Sequence, residues 1–381
     1  MLVSGGVFIG WYITFTANTA FLHILDSILI LSVLVSTLYW LVLFIKISLF
    51  KETISYGNFG TCSILISAKN EADNLKKLLP KLLKQNDFKE IVVMNDYSDD
   101  STLKVLQSIS KQNDKLISFS PSKDLPGKKL ALTEGIDHCS SETILLTDAD
   151  CYPVSDRWAS IMASKIRKGA ELVLGYGPLE KTSGILNAFA RYETVITAVQ
   201  YFGFSLYNKA YMGVGRNMAF TKKLFKTTNG YSSHEHIPSG DDDLFVQDAC
   251  KLTDVQICLD PESFMYSTAP EDLKSYIHQK KRHIATSTSY NTLHKMLLSV
   301  HPFFHLIAAV LSVVFIMLGN FKIIAFVWLI RWSVLMIMAY LPFRRLSGID
   351  LIKWIPLMDI LLVGYYIYFG WSALDRKNAS W

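Results

Sequence analysis

Three kinds of hydrophobic patterning follow one another along the chain. The first is an unbroken run at 27–45, SILILSVLVSTLYWLVLFI, 19 positions with no formal charge, long enough to cross the hydrocarbon core as a helix. It is longer than the apolar core of a signal peptide, and no small-residue cleavage site follows it. Residues 1–23 are also apolar but are interrupted by Gly, Thr and Asn, which fits either a segment lying on the membrane or a frayed start. The second kind, from Thr61 to about Asp260, alternates short apolar runs with helical periodicity and predicts an α/β domain with a parallel sheet. The third kind returns to long apolar stretches at 302–318, 323–341 and 351–371. The first of these, at 17 residues, is short enough for a re-entrant segment.

These patterns predict four parts: residues 1–50 with one transmembrane helix, a globular domain at 51–270, an amphipathic interface segment at 271–300, and C-terminal transmembrane helices within 301–381. Lys46 and Lys51 follow the first span, so the positive-inside rule puts the globular domain in the cytosol, as for an integral protein of a bacterial-type inner or plasma membrane. Arg344 and Arg345 suit a loop on the same side, whereas Asp375, Arg376 and Lys377 would then lie outside, against the charge rule. Arg331 and Asp359 fall within predicted spans and are expected to face protein, water or each other.

Within the globular part, Gly184–Lys209 carries Ile185, Phe189, Tyr192, Ile196 and Val199 at helical spacing. This predicts either a core-facing helix or a surface against the bilayer or an apolar acceptor. A second amphipathic stretch, Asp272–Ile284, sets Leu273, Tyr276 and Ile277 beside the basic group Lys280, Lys281 and Arg282.

Composition adds limits. Half of the 381 residues are hydrophobic and the mean hydropathy is positive, as a partly membrane-embedded chain requires. The net charge of +5 comes without a long Lys/Arg run, so nothing points to nucleic acid. The five cysteines are odd in number and lack paired metal-ligand spacing, which reads as reduced thiols.

The chemistry gathers at predicted strand ends. TILLTDAD runs apolar from Ile144 to Leu146 and stops at Asp148 and Asp150, two carboxylates across one small residue that can turn toward a single hard cation such as Mg²⁺ or Mn²⁺. VVMNDYSDDST ends likewise at Asn95 and Asp96, with Ser98 or Asp99 placed to cap the next helix. Pro126-Gly127-Lys128-Lys129 opens another helix.

Taken in order, these segments resemble the membrane-anchored family 2 glycosyltransferases of GT-A fold, similar to ceramide glucosyltransferase and to the hyaluronan and cellulose synthases. The resemblance covers roughly 61–290 and implies a Rossmann-like nucleotide-sugar-binding domain plus transmembrane helices. SAKNEADNL, with Ala68, Asn70 and Glu71, and the Asp96 segment correspond to the family's nucleotide-holding segments. Asn95 stands where an aspartate is usual. By the same resemblance Lys128 lies near the diphosphate, and Asp148 and Asp150 hold Mn²⁺ or Mg²⁺. SGDDDLFVQ looks like the family's catalytic segment, whose aspartate takes the acceptor's proton: Asp241, Asp242 and Asp243 leave the register open, and the apolar pair that follows favours Asp242. HQKKRH matches the family's Q-x-x-R-W, with Gln279 on the acceptor side, Arg282 on the leaving diphosphate and His283 in place of tryptophan. Arg216 and Asn217 of YMGVGRNMAF are further acceptor-side candidates.

The implied activity is inverting transfer of a sugar from a nucleotide donor, a UDP-sugar by resemblance, to a hydroxyl on a lipid or other membrane-presented acceptor. A processive polysaccharide synthase is the alternative among enzymes, and an inactive GT-A scaffold the alternative outside them. Retention of the acids and Arg282 in order argues against the scaffold.

Overall fold

The computed structural model describes residues 4–52, 62–121, 127–237 and 239–374, with side chains from 21 to 370. Thr61, Pro126, Asp375, Arg376, Lys377 and the side chains of 1–20 lie outside the described residues.

Helix α1 (Ser4–Leu49) contains the first apolar run and continues unbroken through the weaker pattern ahead of it. The α/β part begins with β1 (Cys62–Ala68), whose residues are buried except for half-buried Ser67, as a parallel strand covered on both faces requires. Helix α2 (Ala72–Leu82) buries Leu75, Leu78, Leu79 and Leu82, the i, i+3, i+4, i+7 face. The alternation continues through β2 (Phe88–Asn95), α3 (Thr102–Ser110), β3 (Leu116–Phe119), α4 (Lys128–His138) and β4 (Thr143–Asp148). Next come β5 (Cys151–Pro153), α5 (Trp158–Arg167), β6 (Leu172–Leu174), α6 (Ile185–Leu206) and β7 (Met218–Thr221). Helices α7 (Lys222–Thr227) and α8 (Asp243–Ala249), strands β8 (Val255–Ile257) and β9 (Met265–Ser267), and helix α9 (Leu273–Ser287) complete this part. Three long helices close the described chain: α10 (Thr292–Met317), α11 (Phe321–Arg345) and α12 (Ile355–Leu374).

The main sheet has seven strands in the order β3-β2-β1-β4-β7-β6-β8, and β5 and β9 form a separate antiparallel pair. Strands β3, β2, β1 and β4 are parallel, whereas β7 runs against both β4 and β6. The register pairs Ala68 with Asn95 and Ser67 with Asp148, so the strand ends that carry acids and amides share one edge. Chain direction across the sheet reverses at β1, between β2 and β4, and ligands of open α/β sheets bind in the crevice at such a point.

Alternate residues of the strands feed two cores. Ile64, Ile66, Ile91, Val93 and Leu145 face α2 and α5. On the other face Leu65, Val92, Met94, Ile144 and Leu146 join α4, α6, Leu43 and Ile47 of α1, and Phe343 of α11 in one continuous cluster. The sheet is thus packed onto the long helices through α6. That helix is core-facing: Val195, Ile196, Val199 and Phe202 are buried, and a Cβ at Gly203 would lie 2.8 Å from Leu43. Arg345 Nη1 donates to the carbonyls of Ile47 and Phe50 at 2.7 and 2.6 Å, closing the end of α1 from the end of α11.

Among the described residues four helical stretches are long and apolar enough to cross a membrane: Phe21–Leu49, Thr292–Met317, Phe321–Arg345 and Ile349–Gly370. The short run at 302–318 is part of a longer helix than the apolar pattern indicates. Helix α10 has 26 residues and starts ten positions earlier, at an Asn291 cap whose side chain accepts from His294 N at 2.9 Å. The polar first turns concealed its length, because a hydrophobic run marks only the apolar portion of a helix. Arg331 and Asp359 do face each other: Nε and Nη2 meet Oδ2 and Oδ1 at 2.8 and 2.9 Å.

Candidate active site

A cavity of about 1480 Å³ opens along the acid-bearing strand edge. Its walls contain Glu71, Asp96, Lys128, Asp148 and Asp150, together with Arg216, Asp241, Asp242, Gln279, Arg282 and His283. From there it continues past α6 to α10 and α12.

Each of these side chains is placed by backbone around it. Asp96, the residue after β2, accepts from Gly127 N at 3.0 Å and so fixes the start of α4. Lys128, the first residue of that helix, reaches back across the cavity. Its Nζ lies 2.9 Å from Asp148 Oδ1 and 2.9 Å from Asp241 Oδ2, bridging the strand-end carboxylate to the acidic triplet. Burial opposes the Lys128 charge, but Asp148, Asp241 and Asp242 outweigh it and hold the ammonium well above the ordinary lysine value. Asp148 is likewise held below the usual carboxylate range, Lys128 overcoming the cost of burial.

The triplet resolves into three environments. Asp241 is buried and pairs with Lys128. Asp243 is buried and accepts from the Tyr290 hydroxyl; burial, then the Asp242 charge, push its pKa well up. Asp242 is half-buried in the cavity wall, with Oδ2 accepting from Gly215 N at 2.9 Å and Oδ1 from Asp243 N at 2.8 Å. Burial first, and then the neighbouring Asp241 charge, raise its pKa to about 6. Gly240, at φ +80, makes the turn that presents the triplet.

Two groups that support the site were invisible to sequence pattern. Lys129 turns away from the cavity's acids and holds the segment before the triplet: its Nζ lies 2.8 Å from His234 Nδ1 and donates to the carbonyls of His234 and Ile237 at 2.7 and 2.9 Å. Burial lowers the Lys129 pKa to about 8. Tyr290 is the other, clamping Asp243 from beyond α9. A Lys-Lys pair at a helix start was the only available hint of the first.

Three expected site residues lie elsewhere. Asn217 is fully buried behind the cavity: Oδ1 accepts from Trp158 Nε1 at 2.9 Å and Nδ2 donates to the carbonyls of Tyr176 and Ser263, both at 2.8 Å. Its amide is committed to joining α5, the segment after β6 and the loop before β9, so it is corrected from acceptor side to scaffold. Asn70, at φ 59, ties two strand-end loops together by accepting from Asp99 N at 2.8 Å and donating its own N–H to Ser98 Oγ at 2.9 Å. Ala68 contributes its carbonyl to Asp96 N at 2.8 Å and does not line the cavity. At the start of α3 the N-cap residue is Ser101, whose side chain makes no cap bond; of the acids ahead of it Asp100 accepts from Thr102 N at 2.9 Å, whereas Ser98 and Asp99 bond Asn70 instead.

The donor set at Asp148 and Asp150 fits a hard divalent ion. Their oxygens and Cys151 Sγ lie within 4.8 Å of one another. The Cys151 thiol is buried and held protonated, its pKa pushed well up by burial, and it donates to Asp150 Oδ1 at 3.3 Å. That leaves two carboxylates as ligands with room for phosphate oxygens and water, the oxygen-only set preferred by Mg²⁺ or Mn²⁺.

Comparison with known proteins agrees with this geometry. Residues 63–228 match the family model for glycosyl transferase family 2, and 171–343 match that for glycosyl transferase family group 2. Between them the two models span 63–343, so the chain carries family 2 glycosyltransferase domains. A poly-β-1,6-N-acetyl-D-glucosamine synthase of Staphylococcus epidermidis is 24% identical over 281 residues, 68% of this chain and 65% of the relative, so the chain spans about two thirds of that protein's length. A 4,4'-diaponeurosporenoate glycosyltransferase of Staphylococcus aureus is 24% identical over 197 residues, 50% of this chain and 51% of that one. The mannosyltransferase of Pyrobaculum calidifontis, solved with GDP-Man and Mn²⁺, superposes with a TM-score of 0.55 at 16% identity, over 90% of this chain and 99% of that one. The glycosyltransferase therefore has the GT-A fold, a Rossmann-like sheet with helices, joined to apolar helices.

Proposed function

We propose that this glycosyltransferase moves one sugar, with inversion, from a nucleoside diphosphate sugar to a hydroxyl of a lipid-type acceptor presented at the membrane. The observation that carries the reading is the single cavity joining Asp96 and the Asp148/Asp150 pair to Asp242 and continuing to helices of membrane-crossing length. The domain would face the cytosol, with Lys46, Lys51, Arg344 and Arg345 on that side.

Glu71 and Asp96 are suited to the nucleoside end. Asp148 and Asp150 would hold Mn²⁺ or Mg²⁺, which when bound neutralises charge on the diphosphate. Arg282, within electrostatic reach of Asp148, and Lys128 add positive charge where the leaving group develops its own. Asp242 takes the acceptor's proton as the new oxygen–carbon bond forms and the bond from the anomeric carbon to the diphosphate breaks on the opposite face. A carboxylate with a pKa near 6 is mostly ionised at neutral pH yet basic enough to accept that proton.

The similarity to a poly-β-1,6-N-acetyl-D-glucosamine synthase favours a second reading, repeated addition to a growing chain. Incubation of the full chain in nanodiscs with radiolabelled UDP- and GDP-sugars and a membrane lipid extract separates the two. Product that enters organic solvent and carries one added sugar by mass spectrometry supports single transfer, whereas a water-soluble ladder of lengths supports the polymerase.

A further inference from the structure

Beyond Asp242 the cavity changes chemistry twice. On α6 the otherwise buried apolar helix turns a polar stripe into it: Glu193, Thr197 and Gln200, at i, i+4 and i+7. Glu193 is only 7% exposed and forms an ion pair with Lys280 of α9, itself on the cavity wall and two residues before Arg282. Thr197 Oγ1 donates to Glu193 Oε1 at 3.2 Å, and the Tyr276 hydroxyl beside the pair is buried with no hydrogen-bond partner among the described residues. Farther on, between α10 and α12, the wall becomes apolar with Pro302, Leu306, Leu362 and Phe369.

An ion pair removed from water contributes little net stability, since desolvation cancels most of its attraction. The α6–α9 contact would pack as well with apolar residues of similar size, so stability alone does not account for the pair. Gln200 Nε2 already donates to the Tyr39 hydroxyl at 2.9 Å, but a stripe of charged and amide groups is still a poor lining for a hydrocarbon chain, because their remaining donors and acceptors left unpaired against one incur a desolvation cost. It suits a molecule with several hydroxyls or amides, whose flat apolar faces can rest on rings such as Tyr290 and Tyr366 of the same wall. A cavity of about 1480 Å³ exceeds the usual range for one small ligand, roughly 300–1,000 Å³, which leaves space for an acceptor of that size beside the donor.

We propose that Glu193 and Lys280, with Thr197 and Gln200, form an acceptor subsite for a sugar already present on the acceptor, so that the substrate is a sugar-headed amphiphile: reacting hydroxyl at Asp242, sugar at Glu193–Lys280, hydrocarbon between α10 and α12. The inference rests on the lipid-type acceptor proposed above and narrows it from any membrane alcohol to a glycolipid. Glu193 and Lys280 are positioning residues in this scheme, since neither touches the reacting atoms.

The test uses the full chain in nanodiscs, the nucleotide sugar that it cleaves, and two probe acceptors, octyl β-D-glucoside and 1-octanol. The expected result is a preference for the glucoside in kcat/KM. Glu193→Gln and Lys280→Met should each raise KM for the glucoside by roughly 10- to 100-fold, the cost of losing a hydrogen bond to a charged group. Donor KM should stay within about twofold, and Glu193→Asp should recover part of the loss, as a merely structural pair would not show. Equal use of octanol and octyl glucoside overturns the proposal, as does a Glu193→Gln change that lowers kcat and leaves acceptor KM unmoved. Donor cleavage with neither probe glycosylated also overturns it while leaving glycosyl transfer standing. Absence of cleavage of every nucleotide sugar strikes the proposed function itself.

Discussion

Two clusters of buried charge in this molecule are built on opposite principles. In the membrane-length helices Arg331 and Asp359 are both about 1% exposed, and the guanidinium and the carboxylate are matched by hydrogen-bond partners. Besides the bidentate pair, Arg331 Nη1 donates to Ser36 Oγ and Thr37 Oγ1 at 3.0 and 2.8 Å, Trp332 Nε1 donates to Asp359 Oδ2 at 3.0 Å, and His305 Nε2 lies 2.9 Å from the Asp359 carbonyl. The cluster joins α1, α10, α11 and α12. Although His301, His305 and Asp359 lie close enough to hold a metal, the Asp359 oxygens are already taken. In the acid-lined cavity three aspartates stand in a row; among the described residues Lys128 meets Asp241 alone of the three, and the other two have raised pKa values. Matched charge fastens helices; crowded, under-neutralised charge is prepared to take up a cation or a proton.

The largest effect should come from removing the cation proposed at Asp148 and Asp150, on the same cavity wall as the triplet. EDTA, or Asp150→Ala, is expected to abolish transfer, with Mn²⁺ or Mg²⁺ restoring it only to the chelated wild type; full turnover in EDTA would refute a metal at this pair. Next in size, Asp242→Asn should lower kcat by about 10²- to 10⁴-fold, the usual worth of a general base, with nucleotide affinity nearly unchanged. Titration calorimetry with the nucleoside diphosphate checks the second half. Collapse of that binding would remove Asp242 from catalysis.

The matched cluster should respond in stability instead. Arg331→Met or Asp359→Leu alone strands a buried partner charge and is expected to cost about 3–5 kcal/mol, whereas the double variant should lie much closer to wild type. Thermal unfolding in detergent reads the difference, and turnover per folded molecule should change little in any of the three. A double variant as unstable as either single one would show that the pair is not the unit.

What sequence could reveal divides along the same line. Strand ends were legible because a buried parallel strand needs consecutive apolar residues, and Asp96, Asp148 and Asp150 interrupt that need abruptly. The register of the triplet was only half legible: the apolar pair after it pointed to Asp242, but the bonds that occupy Asp241 and Asp243 come from Lys128 and Tyr290, distant in sequence on one side and beyond a helix on the other. Asn217 misled because a glycine-flanked amide looks the same whether it faces a ligand or bonds Trp158. Helix α6 gave an ambiguous signal for a physical reason. Its apolar face meets the core and its polar stripe faces a cavity, so neither side shows the charged surface that ordinarily marks solvent.

The smallest predicted effect tests the crowding itself through pH. With the Asp242 pKa near 6, the ionised base becomes scarce in acid, and kcat/KM should fall roughly tenfold for each pH unit below about 6 and level off above it. Stability should move the other way. Asp242 binds its proton more tightly folded than unfolded, so its contribution to stability is present at low pH and is lost as pH rises from about 4 through about 6. Burial is the larger cause of the shift and the Asp241 charge the next, so Asp241→Asn should move the acid limb of the rate profile to lower pH without removing it. A limb unmoved in Asp241→Asn would mean that crowding does not set the pKa. If Asp241→Asn instead removes activity as completely as Asp242→Asn is expected to, the proton acceptor lies one residue earlier, and the lysine bridge from Lys128 to Asp241 must open before the acceptor hydroxyl can react.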